Sequence, residues 1–105
     1  MAWAYLAVAA AFEVIFALGM KYADGFTRAV PTLVTIIGAV GGIFCLTLAM
    51  KTLPVSVAYP IWTAVGTLGT VILGSILLNE PLTLAKTISA LAIAGGVAGL
   101  KLSSA

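Results

Sequence analysis

The sequence predicts an all-α membrane protein of four transmembrane helices, and three observations carry that expectation. Of 105 residues, 63% are hydrophobic and 8% charged, and mean hydropathy is +1.25; a soluble domain is about one quarter charged. Long stretches carry no charge at all, Ala29 to Met50 over 22 residues and Val55 to Leu78 over 24, and ~20 apolar helical residues cross a bilayer core. The intervening links are short and rich in turn residues. A spanning β-barrel needs strands of alternating polarity, about ten residues each, and no such alternation is present.

The first span covers about residues 2–20, interrupted only by Glu13, before the polar segment Lys21 to Arg28. No basic side chain precedes it, and its apolar stretch is longer than a secretory signal requires, so it reads as a retained helix. The second span, about 29–50, has Pro31 in its first turn, where a missing N–H is tolerated, and Lys51-Thr52-Leu53-Pro54 ends it. The third, about 55–78, places Tyr59, Pro60 and Trp62 near its start and stops at the turn signal Asn79-Glu80-Pro81. The fourth, about 84–101, is flanked by Lys86 and Lys101, which can snorkel to opposite interfaces. The expectation is a single four-helix domain spanning residues 1–105. Its only cysteine, Cys45, and the absence of histidine argue against disulfide, redox and metal chemistry, and no cofactor is expected.

Charge leaves orientation open. Lys51 and Lys101 fall on the side of the amino terminus, and Lys21, Arg28 and Lys86 on the other. Basic residues normally bias one face toward the cytoplasm, and two against three is almost no bias. The sequence therefore suggests insertion in both orientations and an antiparallel homodimer; the alternative is one topology fixed despite a weak bias. Four helices enclose little beyond their own side chains, and transporters commonly place sites between inverted repeats, which a second, inverted copy would supply. Helix four carries Gly95 and Gly99 in a G-x-x-x-G, with Ser89 and Gly96 two turns apart, and is the expected dimer contact. Gly38 and Gly42 repeat that spacing in helix two, so the motif does not by itself single out one helix.

Glu13 is the most informative residue. It lies two residues, ~3 Å, past the midpoint of its span, beyond the reach of snorkelling. A carboxyl at that depth costs roughly 2.5–3.5 kcal/mol on insertion scales, and intramembrane ionisable groups mark substrate or ion paths. No basic residue inside the apolar spans neutralises it, so the expectation is an exchange site: a neutral acid that releases its proton when a cation takes its place. An antiparallel partner would bring a second Glu13 to almost the same level, and the two would titrate as a coupled pair. The plainer alternative is a protonated glutamate donating a structural hydrogen bond between helices. One turn away on either side are Ala9, Ala10, Phe16 and Ala17, which leave room for a ligand.

Tyr59 and Trp62 share a face at i and i+3. Aromatic rings stack on cations, and a phenol donates to a carboxylate, so both are expected in the pocket. The alternative for Trp62 is the interfacial aromatic belt, although it lies ~10 Å inside its helix. Pro60 leaves the Ser56 carbonyl without its helical donor, and Gly66 and Gly69 loosen the helix further on, so a bend is expected there.

Glu13, Lys21-Tyr22, Gly25-Phe26-Thr27-Arg28, Pro31, Pro54, Ala58-Tyr59 and Ile61-Trp62 together resemble the small multidrug resistance family over nearly the whole chain. The resemblance implies an antiparallel dimer in the bacterial inner membrane that exchanges protons for organic cations, with Glu13 binding both in turn, Tyr59 bonded to it and Trp62 lining the pocket. Lys51-Thr52-Leu53-Pro54 and Gly99-Leu100-Lys101 are similar to the guanidinium-exporter branch. Phe16 stands where that branch usually has tryptophan, Gly42 where it has serine, and Pro60 where alanine is commoner, which keeps export of bulkier quaternary ammonium compounds as the alternative. A non-transporting membrane assembly subunit is the alternative from another class. A proton-carrying ring subunit is disfavoured by four spans, and an enzyme by the lack of a nucleophile and base pair.

Overall fold

The computed structural model of the chain describes residues 1–103. Four α-helices account for nearly all of them: α1 (Ala2–Ala23), α2 (Ala29–Ala49), α3 (Val55–Leu77) and α4 (Leu84–Ser103). At ~1.5 Å per residue, helices of 20–23 residues run ~30–35 Å, the thickness of a hydrocarbon core. All four are long and apolar enough to cross a membrane.

The helices start where the sequence places them, and their carboxyl ends differ from the expectation by one to three residues. α1 continues through Lys21 and Tyr22 to Ala23 because the chain is stopped by backbone geometry and not by the first charge. Asp24, Gly25 and Phe26 take φ of 50°, 71° and 65°, a run of left-handed residues in which no helix can continue. The Thr27 amide donates to the Ala23 carbonyl at 2.9 Å and the Thr27 hydroxyl to the Asp24 carbonyl at 2.8 Å, which satisfies the carbonyls freed at the helix end.

α1 packs along α2 and, on another face, against α3; the backbone of α4 approaches only α3 among the described residues. The result is a slab, with principal extents of 43 × 34 × 17 Å. Its main hydrophobic cluster lies toward one end. Leu6 and Ala9 of α1, Leu46 and Ala49 of α2, and Val57, Ala58 and Ile61 of α3 form a single cluster, all on the side of the amino terminus and the α2–α3 turn. Lys101 closes over that end, its Nζ 5.2 Å from the Trp3 ring centroid, a cation–π distance. Toward the opposite end α3 contributes only Gly66 and Gly74 to the buried set, and that end of the molecule holds the clefts described next.

Candidate functional site

The residues that bring α3 onto α1 surround the mid-span acid. A β-carbon on Gly66 would sit 2.9 Å from the Glu13 β-carbon and closer still to its γ-carbon, and one on Gly69 would sit 2.6 Å from a Val14 methyl. Only hydrogen at these two positions lets the helices approach. One turn earlier, the Trp62 indole N–H donates to the Ala9 carbonyl oxygen at 3.0 Å. Three successive contacts, Trp62 on Ala9, Gly66 on Glu13 and Gly69 on Val14, thus hold the two helices in parallel register.

Glu13 is half-buried and borders two clefts. The smaller, ≈ 130 Å³, is shared with Phe16, Gly38, Ala39, Ile43 and Trp62, an aromatic and aliphatic lining. The larger, ≈ 330 Å³, is shared with Ala17, Thr63, Gly66, Thr67, Thr70 and Val71, and three hydroxyls line it. The acid therefore presents one flank to π-faces and hydrocarbon and the other to hydrogen-bonding oxygens. Together these can hold a cation by charge, by stacking and by acceptance of N–H bonds.

Of the residues singled out from the sequence, the structure brings Phe16, Ala17, Trp62 and Gly66 to Glu13. Tyr59 stands further out: its ring meets that of Trp62 at 5.4 Å between centroids and 42° between planes, it is 45% exposed, and among the described residues its hydroxyl makes no hydrogen bond to Glu13. Ala10 lines neither cleft beside the acid. It is buried and faces an apolar hollow with Trp3, Leu6, Ile61 and Val97, because it lies three residues back and the helix turns it toward the core end. Gly42 is likewise a packing residue, its missing β-carbon facing the Phe12 β-carbon at 3.3 Å and the Ala9 carbonyl oxygen at 3.5 Å. Pro60 lies inside α3, which is helical throughout, and Gly66 and Gly69 admit α1.

Ser89, Gly95, Gly96 and Gly99 are exposed on α4, and β-carbons on the three glycines would meet nothing within 4 Å. The rival stripe in α2 is already used: a β-carbon on Gly38 would lie 2.9 Å from the Phe16 amide nitrogen and 3.1 Å from the Phe12 carbonyl oxygen. The threonines of the larger cleft are the residues that sequence reading missed. Their signal was present, since 63, 67 and 70 recur at i, i+4 and i+7 on one helical face, but isolated hydroxyls inside an apolar span read as neutral filler.

The sequence pattern of the Small Multidrug Resistance protein family matches residues 1–93. A guanidinium exporter of Yersinia pseudotuberculosis is 45% identical, over 99% of this chain and all of its own length. Guanidinium exporters of Citrobacter freundii and Salmonella typhimurium are 43% identical over 99% of both chains. With a mid-span glutamate between two clefts on a four-helix membrane scaffold, and a match over most of its length, this chain belongs to the small multidrug resistance family.

Proposed function

We propose that the protein is a proton-coupled antiporter that exports small organic cations of the guanidinium type, with Glu13 as the group that carries proton and cation in turn. It is a multi-pass inner-membrane protein of a transporter family. The observation that carries the reading is the position of Glu13 on the border of both clefts. A cation seated there meets a carboxylate, the Trp62 and Phe16 rings on one flank, and the Thr63 hydroxyl on the other. Guanidinium is flat and rimmed with N–H donors, so it uses acceptor oxygens and π-faces together. The full-length likeness to guanidinium exporters supports the same substrate class.

The mechanism follows from competition for one carboxyl. With the site empty, a proton neutralises Glu13 in its apolar setting. An arriving cation replaces the proton, and its departure on the far side lets another proton bind. Exchange and not leak results when the site opens to one face at a time, which a pair of inverted copies provides. The second copy docks through α4, whose Gly95, Gly96 and Gly99 face is uncovered in the single chain and flat enough for close helix approach. A second reading is favoured by the lining of the smaller cleft: Phe16, Ile43 and Trp62 suit the alkyl groups of a quaternary ammonium ion, which has no N–H to donate.

Proteoliposomes loaded with guanidinium test the proposal. Dilution into guanidinium-free buffer is expected to drive protons inward, read as acidification of a trapped dye, and Glu13→Gln is expected to abolish it. Retention of coupled exchange by Glu13→Gln would overturn the assignment, and tetra-alkylammonium outcompeting guanidinium would favour the second reading.

A further inference from the structure

The larger cleft beside Glu13 does not end at the threonines. Thr70 and Val71 also line a second hollow of ≈ 190 Å³ that continues to Ser75, Glu80 and Lys86 at the α3–α4 turn. The two cavities share Thr70 and Val71 and follow one another as a groove along α3. From Gly66, which faces Glu13, to Gly74, which faces Glu80, is eight residues, ~12 Å of helix.

The lining of this groove is selective in chemistry. Each hydroxyl spends its proton on the backbone: Thr67 on the Thr63 carbonyl at 2.7 Å, Thr70 on the Gly66 carbonyl at 2.8 Å, and Ser75 on the Ile72 carbonyl at 2.7 Å. What remains on these hydroxyls is lone pairs, so this stretch of the groove offers acceptors, and the donor of the outer hollow is Lys86. Such a surface suits water and N–H-bearing cations and repels anions. At its outer end Glu80 lies back on the helix, its Oε1 2.8 Å from where a Gly74 β-carbon would be. A carboxylate there adds to the negative end of the α3 dipole and sums with it to attract positive charge. Lys86 lines the same hollow and, among the described residues, makes no ion pair with Glu80; its Nζ donates to the Pro81 carbonyl at 2.9 Å.

We propose that Glu80 is a second, outer station for small N–H-bearing organic cations, and that Thr67, Thr70 and Ser75 form the acceptor track linking it to Glu13. The proposal rests on the cation-exchange reading of Glu13 and adds a route and a capture point. A cation leaving water is held first at the turn and then passed inward between hydroxyls about one helical turn apart, so it is never stripped of all its acceptors at once.

Two measurements test this. In proteoliposomes, Thr67→Val with Thr70→Val keeps shape and removes both hydroxyls; guanidinium exchange is expected to slow about tenfold, the worth of one hydrogen bond to a charged partner. Equilibrium guanidinium affinity is expected to stay within about twofold, because the final seat at Glu13 remains. Thr67→Ser with Thr70→Ser should restore the rate, and Glu80→Gln should slow exchange at low guanidinium without changing it at saturation. Unchanged rates in both the valine pair and Glu80→Gln would overturn the track, and so would a loss of affinity matching the loss of rate, which would place the hydroxyls in the seat itself. Independently of transport, Thr70→Cys in a Cys45→Ala background should react with a cationic methanethiosulfonate about tenfold faster than Ile72→Cys, which is exposed on the outside of α3. Equal rates would overturn the track. Fast labelling of Thr70→Cys in a protein that exchanges no guanidinium would instead retire the exchange reading and leave the watered groove standing.

Discussion

Replacing Gly66 with alanine puts a methyl group where the Glu13 side chain now lies. The new β-carbon would be 2.9 Å from the Glu13 β-carbon, whose position is fixed by the α1 backbone, and nearer still to the γ-carbon, which can rotate. Relief therefore requires both a small separation of α1 from α3 and a new χ1 for Glu13. Overpacking of this kind costs ~1–3 kcal/mol, offset by the ~1 kcal/mol by which alanine exceeds glycine in helix propensity. The net destabilisation is expected at ~0–2 kcal/mol, too little to unfold the protein. The displaced carboxyl no longer borders both clefts, and losing its charged hydrogen bonds to a guest, ~1.5–3 kcal/mol, lowers guanidinium affinity ~10–100-fold. Gly69→Ala is the matched control: its β-carbon meets a Val14 methyl at 2.6 Å, with a similar packing cost and no carboxylate involved. Thermal unfolding in detergent and calorimetric guanidinium binding on both variants check the reasoning. Wild-type affinity in Gly66→Ala, or an equal loss in Gly69→Ala, would refute it.

Other expectations concern the scaffold and the assembly. Gly38→Ala confronts the α1 backbone at 2.9 Å and 3.1 Å whereas Gly42→Ala meets first a side-chain carbon at 3.3 Å, so Gly38→Ala should be the more destabilising, by ~1 kcal/mol or more in detergent unfolding. Trp62→Phe removes the bond to the Ala9 carbonyl and should cost ~0.5–1.5 kcal/mol while leaving an aromatic wall to the smaller cleft. A β-carbon at Gly96 would meet nothing within 4 Å, so Gly96→Leu should leave the single chain's helix content intact by circular dichroism, but shift the dimer toward monomer in sedimentation. A dimer as tight as wild type would remove α4 from the interface.

Much of the site was readable before the fold. Glu13 stood out because an acid without a cationic partner in an apolar span has few uses other than exchange, and Trp62 because it lies too deep for an interfacial belt. Tyr59 was expected in the pocket from the face it shares with Trp62, its bond to the acid and the placing of Gly42 coming from family likeness. In the single chain Tyr59 stacks on Trp62 and Gly42 packs on α1 beside the Glu13 amide, positions set by the rotation of each helix about its own axis. Hydropathy does not encode that rotation where every face of a helix is apolar. The threonine track escaped for a related reason: one hydroxyl is nearly neutral in a helix, and three matter only when a neighbouring helix diverges to leave them a cleft.

Composition and the lengths of the uncharged runs determined on their own that four helices would cross a bilayer, because unpaired backbone groups and exposed charge are both costly in hydrocarbon. They also determined that one carboxyl would be stranded at mid-depth. Which glycines are spent inside the chain and which remain for a partner was decided only by the tertiary structure. Gly38, Gly66 and Gly69 are closed against α1, whereas Gly95, Gly96 and Gly99 are left open on α4. Identical spacings in sequence acquire opposite roles because close approach is a property of two surfaces, and a single helix specifies only one of them.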